Sequence, residues 1–195
     1  MADEELEVPA DEINVLRREF LEFRLECIWV CQCYKNYADL FEAGENTLRT
    51  LGEAALLFFT DLNRVMIEYQ WLISARILDP AITQGRSNLT VHHINEALHR
   101  QDLMTPAIAA ATEGLNRYRD ILRDGRNRLV AHLDLDAVLA GEARGPHAEQ
   151  DVVQFYRDMQ TYIDEVGNAL GEGPLDIAPG GAEGDAVSLV QNLRR

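Results

Sequence analysis

No stretch of this 195-residue chain approaches the ~18 uninterrupted apolar residues that a membrane-spanning helix needs. The opening MADEELEVPADE is acidic where a secretory leader would be basic and then apolar, so a cytoplasmic protein without a membrane partner is expected. On that reading the glycosylation sequon Asn88-Leu89-Thr90 has no meaning. Cysteine is scarce and odd in number: Cys27, Cys31 and Cys33 cannot make a disulfide framework. Only Cys27 and Cys31 share a helical face and no His lies near to complete a zinc site, so buried thiols are expected. The chain carries no Walker loop, dinucleotide glycine pattern, HExxH or GxSxG, which sets those enzyme classes aside. Basic charge is short as well, with 18 Lys and Arg against 33 Asp and Glu and a net charge of −15. Such a field repels polyanions, and any RNA site must be local.

What the chain does have is helical periodicity and 47% hydrophobic residues, enough for one respectable core. Ile13, Leu16, Phe20, Phe23, Cys27, Val30, Tyr34, Tyr37 and Phe41 recur at steps of three and four, which lays one apolar stripe along a helix. Leu48, Leu51, Ala55, Phe58, Leu62, Val65, Tyr69 and Leu72 repeat the rhythm. Gly44 can end the first helix and Asn46 or Thr47 can cap the second, giving a long antiparallel hairpin. Pro80 should stop the second helix near Asp79, where Arg76 and Asp79 read as a cap or local ion pair. Thr90 or Asn88 can cap a short helix through Leu98, on which His92, His93 and His99 read as surface residues. Pro106 suits a first turn, followed by Ile108, Ala111, Leu115, Tyr118 and Leu122. A last long helix carries Val152, Phe155, Met159, Tyr162, Val166 and Leu170, and no alternating strand stands out. The fold class is therefore all-α, an antiparallel helical bundle of four main helices plus short additional helices. Residues 1–11 read as an acidic flexible start, 12–170 as the bundle, and 171–195 as a Gly/Pro-rich linker with a short terminal helix carrying Val187, Val190 and Leu193.

One basic stretch breaks the acidity. From 117 to 128 run Arg117, Arg119, Arg123, Arg126 and Arg128, opposed by Asp120 and Asp124, with Tyr118 offering a ring for base stacking. Two readings stand side by side: an RNA-binding face using Arg119, Arg123 and Arg128, or a solvated face whose Arg and Asp residues pair with each other. The run ends in RNRLVAH, 126–132. Arg grips phosphate bidentately and His exchanges protons near neutrality, a combination suited to phosphodiester chemistry without metal or cofactor. On a continuous helix His132 would be rotated about 240° from Arg126, and the two could not share a substrate. A break at Asp124-Gly125 would let Arg126 open a new helix with His132 one to two turns in. Without the break, Arg128 and His132 face together and Arg128 is the reserve cation. Asp134 could set the His132 tautomer.

The segment resembles the signature of the HEPN superfamily of helical ribonuclease toxins, in which Arg and a polar residue precede a His. With ARILDPA (75–81), NLT (88–90) and AHLD (131–134), residues 12–170 are similar to the AbiU-type abortive-infection branch. The resemblance implies a composite site at a two-fold homodimer interface, with Arg126 on the phosphate, His132 moving protons and Asn127 orienting the His or a phosphate oxygen. It also implies phage-defence or toxin–antitoxin biology, with an antitoxin or a small nucleotidyltransferase as partner. The rival expectation is a non-catalytic RNA- or protein-binding module that keeps the motif as a relic.

Overall fold

The structure, a computed structural model, describes residues 10–125 and 149–195. The fold is all-α, with one tiny hairpin among the described residues. Among the described residues, four long helices, α1 (Ala10–Tyr37), α2 (Glu45–Arg76), α4 (Pro106–Gly125) and α5 (Glu149–Leu170), are joined by shorter α3 (Val91–Arg100) and α6 (Ala186–Leu193). Two-residue strands β1 (Ile82–Thr83) and β2 (Arg86–Ser87) pair antiparallel between α2 and α3. The described residues fall into two compact units: 10–26, 77–118 and 149–176 in one, and 27–76, 119–125 and 177–195 in the other. Helices α1 and α4 contribute to both.

In the first unit the expected stripes are the core. Leu16, Phe20 and Phe23 of α1, Ile108, Ala111, Leu115 and Tyr118 of α4, and Val152, Phe155, Met159, Tyr162, Val166 and Leu170 of α5 are all buried. Phe23 meets Tyr162 edge-on at 6.0 Å, and Tyr118 stacks on Phe155 at 4.4 Å. Burying Tyr162 requires a partner for its hydroxyl. That hydroxyl donates to Asn95 Oδ1 at 2.9 Å, and Asn95 Nδ2 donates to Thr112 Oγ1 at 3.0 Å, so one polar chain ties α5, α3 and α4. Of the two caps considered for α3, Thr90 is the one used: its Oγ1 accepts from the His93 amide. Asn88 instead closes the hairpin, donating to Pro80 O and Thr83 Oγ1, both at 2.8 Å. The sequence reading missed the hairpin because two-residue strands are too short to alternate. Its signal is the turn, where Gln84 (φ 51°) and Gly85 (φ 75°) both take the left-handed conformation of a tight hairpin. After Leu170, Gly171 (φ 74°) turns the chain, and Glu172 N and Gly173 N both donate to Gly167 O. Where composition reads as linker, the chain runs back along α5: Gln160 Nε2 donates to Leu175 O, and Leu175 N to Asp164 Oδ1.

The second unit departs from the expected pattern in two places. The first helix passes at Tyr37 into a π-helical turn, Ala38–Glu42. Each residue of such a turn advances by less than in an α-helix, and the buried position becomes Leu40 rather than Phe41. The second helix is broken at Ala55 (φ −165°, ψ 79°), and its apolar stripe changes phase there. Leu51 and Leu62 face inward as expected and Leu48 does not, while beyond the break Phe59, Met66, Gln70 and Ile73 turn inward, one residue later than the expected Phe58, Val65, Tyr69 and Leu72, which are exposed. The antiparallel hairpin itself is as expected, since Gln70 Nε2 donates to Val30 O and Trp29 Nε1 to Tyr69 Oη. Neither Asn46 nor Thr47 caps α2. Gly44 (φ 99°) does, its carbonyl receiving the Thr47 and Leu48 amides. Leu40, Leu51, Phe59, Ala186 and Val190 form the local core, with Phe41, Leu62 and Met66 against it, so α6 docks on α2 and the π-turn. Cys27 and Cys31 are buried and in no disulfide among the described residues, and partial burial pushes the Cys33 thiol up.

Candidate nucleic-acid interface

The arginine run rides on the last turns of α4. Positions 115, 118 and 122 face inward, which fixes what lies between them. Tyr118, expected as a ring for stacking on bases, is 7% exposed and is held by Phe155. It belongs to the core. Arg119 and Arg123, four apart, share the outward side with Asp120. Arg119 Nη2 lies 3.4 Å and Arg123 Nη1 3.7 Å from Asp120 Oδ1, with side chains 33% and 63% exposed. One carboxylate thus stands between two guanidiniums, at distances long enough for an incoming phosphate to compete for either. Arg117 lies on the surface.

Helix α4 carries this run to Gly125, one residue before RNRLVAH begins. Arg126, Asn127, Arg128, His132 and Asp134 lie outside the described residues. The structure therefore brings Arg119 and Arg123 together and leaves the geometry of the motif open.

Sequence reasoning passed over a second titratable pair. His93, expected at the surface, has Nε2 3.1 Å from Glu19 Oε2, and the two side chains are 21% and 33% exposed. Clefts of about 350 and 360 Å³ flank the pair, one reaching Arg18, Glu22 and Asn88, the other Glu12, Arg100 and Gln101. The partners are 74 residues apart, so no local spacing could have announced them. Among the described residues no group of three His, Cys, Asp or Glu side chains could hold a metal ion. No described helix is long and apolar enough to cross a membrane.

No curated protein and no solved structure matches this chain. The sequence model of one family, described as AbiU2, matches residues 13–189, a span that runs from the first turn of α1 to the first turn of α6 and takes in the whole of RNRLVAH. The all-α architecture, the arginine run leading into an Arg-Asn-x4-His segment and this match over most of the chain agree, and the protein belongs to the HEPN AbiU2 family.

Proposed function

We propose that the protein is a metal-independent endoribonuclease, acting in phage defence or as a toxin through a composite site at a homodimer interface. The observation that carries this reading is the family match, which runs across Arg126, Asn127 and His132. RNA supplies its own nucleophile: the 2′-oxygen attacks the adjacent phosphorus, the bond to the 5′-oxygen breaks, and a cyclic phosphate and a 5′-hydroxyl result. His132 takes the 2′-hydroxyl proton, a step worth about 100- to 10,000-fold. Arg126 stabilises the charge that builds on the non-bridging oxygens. The departing 5′-oxygen needs a proton from the opposite side, which one imidazole cannot deliver in the same displacement. The protonated His132 of a second copy provides it, while Asn127 orients imidazole or phosphate. Arg119, Arg123 and Arg128 guide the flanking backbone.

Support for a second copy comes from α2. Its phase change leaves Phe58, Val65, Tyr69 and Leu72 exposed on one side, with Trp29 of α1 bonded to Tyr69. Such an apolar face suits burial against a two-fold mate, a contact that has to outweigh the repulsion between two chains of charge −15. The purified protein is expected to cleave single-stranded RNA in the presence of a chelator, and His132→Ala to abolish cleavage with unchanged helicity by circular dichroism. Cleavage surviving that substitution removes His132 from the mechanism. If an antitoxin or nucleotidyltransferase silences the enzyme, activity emerges once that partner is removed.

The contact of Arg119 and Arg123 with Asp120 favours a second reading, a non-catalytic interaction module in which these arginines serve the helix itself. It predicts binding without product on a gel.

A further inference from the structure

A cleft of about 520 Å³ opens in the second unit between the beginning of α2 and the end of α6, lined by Asn46, Arg49, Thr50 and Glu53 from one and by Leu193 and Arg194 from the other. None of these residues belongs to RNRLVAH. Its two guanidiniums are held by neutral acceptors, as Arg17 is by Leu170 O and Asn14 Oδ1. Arg64 takes Glu68 as its partner, and Arg119 and Arg123 take Asp120. Arg49 instead donates to Asn46 Oδ1 at 3.0 Å, and Arg194 to Thr50 Oγ1 at 3.4 Å and Thr47 Oγ1 at 3.2 Å. Those acceptors are neutral. They orient the guanidiniums without cancelling their charge, and most of the five N–H groups of each remain available. Glu53 lines the cleft but makes no ion pair with either arginine.

We propose that this cleft binds the phosphate group of a small phosphorylated ligand of about mononucleotide size. Two planar forks lining one concavity suit the oxygens of a phosphate monoester, a group that arginine holds bidentately and more strongly than a neutral acceptor. The volume lies within the range of ~300–1,000 Å³ typical of small-ligand sites. Leu193 supplies an apolar wall on which the ring of such a ligand rests, and Asn46 and Thr50 supply polar contacts for its remaining oxygens. Because the lining comes from both α2 and α6, occupancy clamps the terminal helix onto the core formed by Leu51, Phe59 and Val190. Ligand binding is thereby coupled to the docking of α6, and the melting temperature rises with ligand concentration.

The test uses the full chain with adenosine monophosphate, adenosine, inorganic phosphate and a short RNA oligonucleotide, read by calorimetric titration and thermal melting. Adenosine monophosphate is expected to bind once per chain and to be displaced by inorganic phosphate, with adenosine much weaker. Arg49→Gln and Arg194→Gln should each weaken it by about tenfold or more, and Arg64→Gln by less than about twofold. His132→Ala should bind it as the unaltered chain does, which separates this site from the nuclease reading. Equal affinity in Arg49→Gln and Arg194→Gln, equal binding of adenosine, or no saturable binding of the monophosphate overturns the proposal. Binding of the oligonucleotide alone, lost in the same two variants, also overturns it and gives the cleft to a nucleic-acid backbone.

Discussion

At the scale of single residues, the least yielding constraint in the first unit is Gly167. A Cβ there would collide with the Gly173 carbonyl oxygen and come within 3.7 Å of the Phe20 ring, and the same turn depends on two amides that converge on the Gly167 carbonyl. The obstacle is backbone, which cannot swing aside. Gly167→Ala is therefore expected to destabilise the protein by about 1–3 kcal/mol, the usual cost of overpacking, measured as a shift in denaturant midpoint. Gly114 meets a different neighbour, the carboxylate of Asp158, whose other oxygen accepts from Gln154 Nε2. A side chain can rotate away, and Gly114→Ala should cost less than Gly167→Ala. An equal or reversed order would mean that the turn after α5 yields more easily than its hydrogen bonds suggest. Neither glycine was legible in the sequence. Gly167 sits inside a helical stripe with nothing local to mark it, because its reason lies in the chain that folds back six residues later. Arg119 and Arg123 were legible as a pair, since a spacing of four on a helix fixes a common face, whereas Tyr118 could not be assigned to core or to substrate until Phe155 was seen beneath it.

At the scale of elements, α6 is held at its start by a single carboxylate. The Ser188 amide donates to Asp185 Oδ1 at 2.9 Å and the Ala182 amide to Oδ2 at 3.2 Å. These bonds, the Ser188 amide foremost, hold the Asp185 carboxyl below its ordinary value. A lowered folded-state pKa stabilises the helix above the unfolded value and loses that contribution as pH falls through the folded one. The protection of α6 amides, exchange measured against the intrinsic rate at each pH, should therefore fall below about pH 4, and Asp185→Asn, which keeps a capping oxygen but has no charge to lose, should flatten that dependence. Persistence of the same acid response in Asp185→Asn would place its origin elsewhere. The second element with a testable surface is α2. Val65 is 58% exposed, so Val65→Glu costs little within one chain and puts a charge on the face proposed to meet a second copy. Light scattering is expected to show a dimer for the unaltered protein and a monomer for Val65→Glu. A dimer that survives moves the interface to another face. The stripes of α1, α4 and α5 were legible because their periodicity is unbroken over the buried stretch. That of α2 misled because its apolar residues populate two faces, and only tertiary packing chose between them.

At the scale of the whole molecule, a charge of −15 sets how the proposed RNA substrate can be approached. Attraction must come from a few arginines against a repelling field, so affinity should be modest and its salt dependence shallow. Each phosphate neutralised on a single strand contributes about −0.7 to the slope of log K against log salt. Arg123→Gln should flatten the slope by about that amount, provided phosphate displaces Asp120 from its side. An unchanged slope would show that Asp120 keeps this arginine for itself. The family and the fold class could be read from the chain before any coordinates, from helical rhythm and one seven-residue segment. The cleft between α2 and α6 could not, since it joins residues nearly 150 positions apart and depends on α6 docking at all.

The break at Ala55 has the signature of an extra residue. In an uninterrupted helix Leu51 and Phe59, eight apart, would diverge by about 80°, whereas positions seven apart differ by about 20°. Both side chains nevertheless enter the same local core. The kink absorbs the surplus, as a bulge absorbs an inserted residue in a sheet. A chain one residue shorter at this point would wind straight through, with its stripe restored to a single line and the exposed Leu56, Leu57 and Phe58 turned to new bearings.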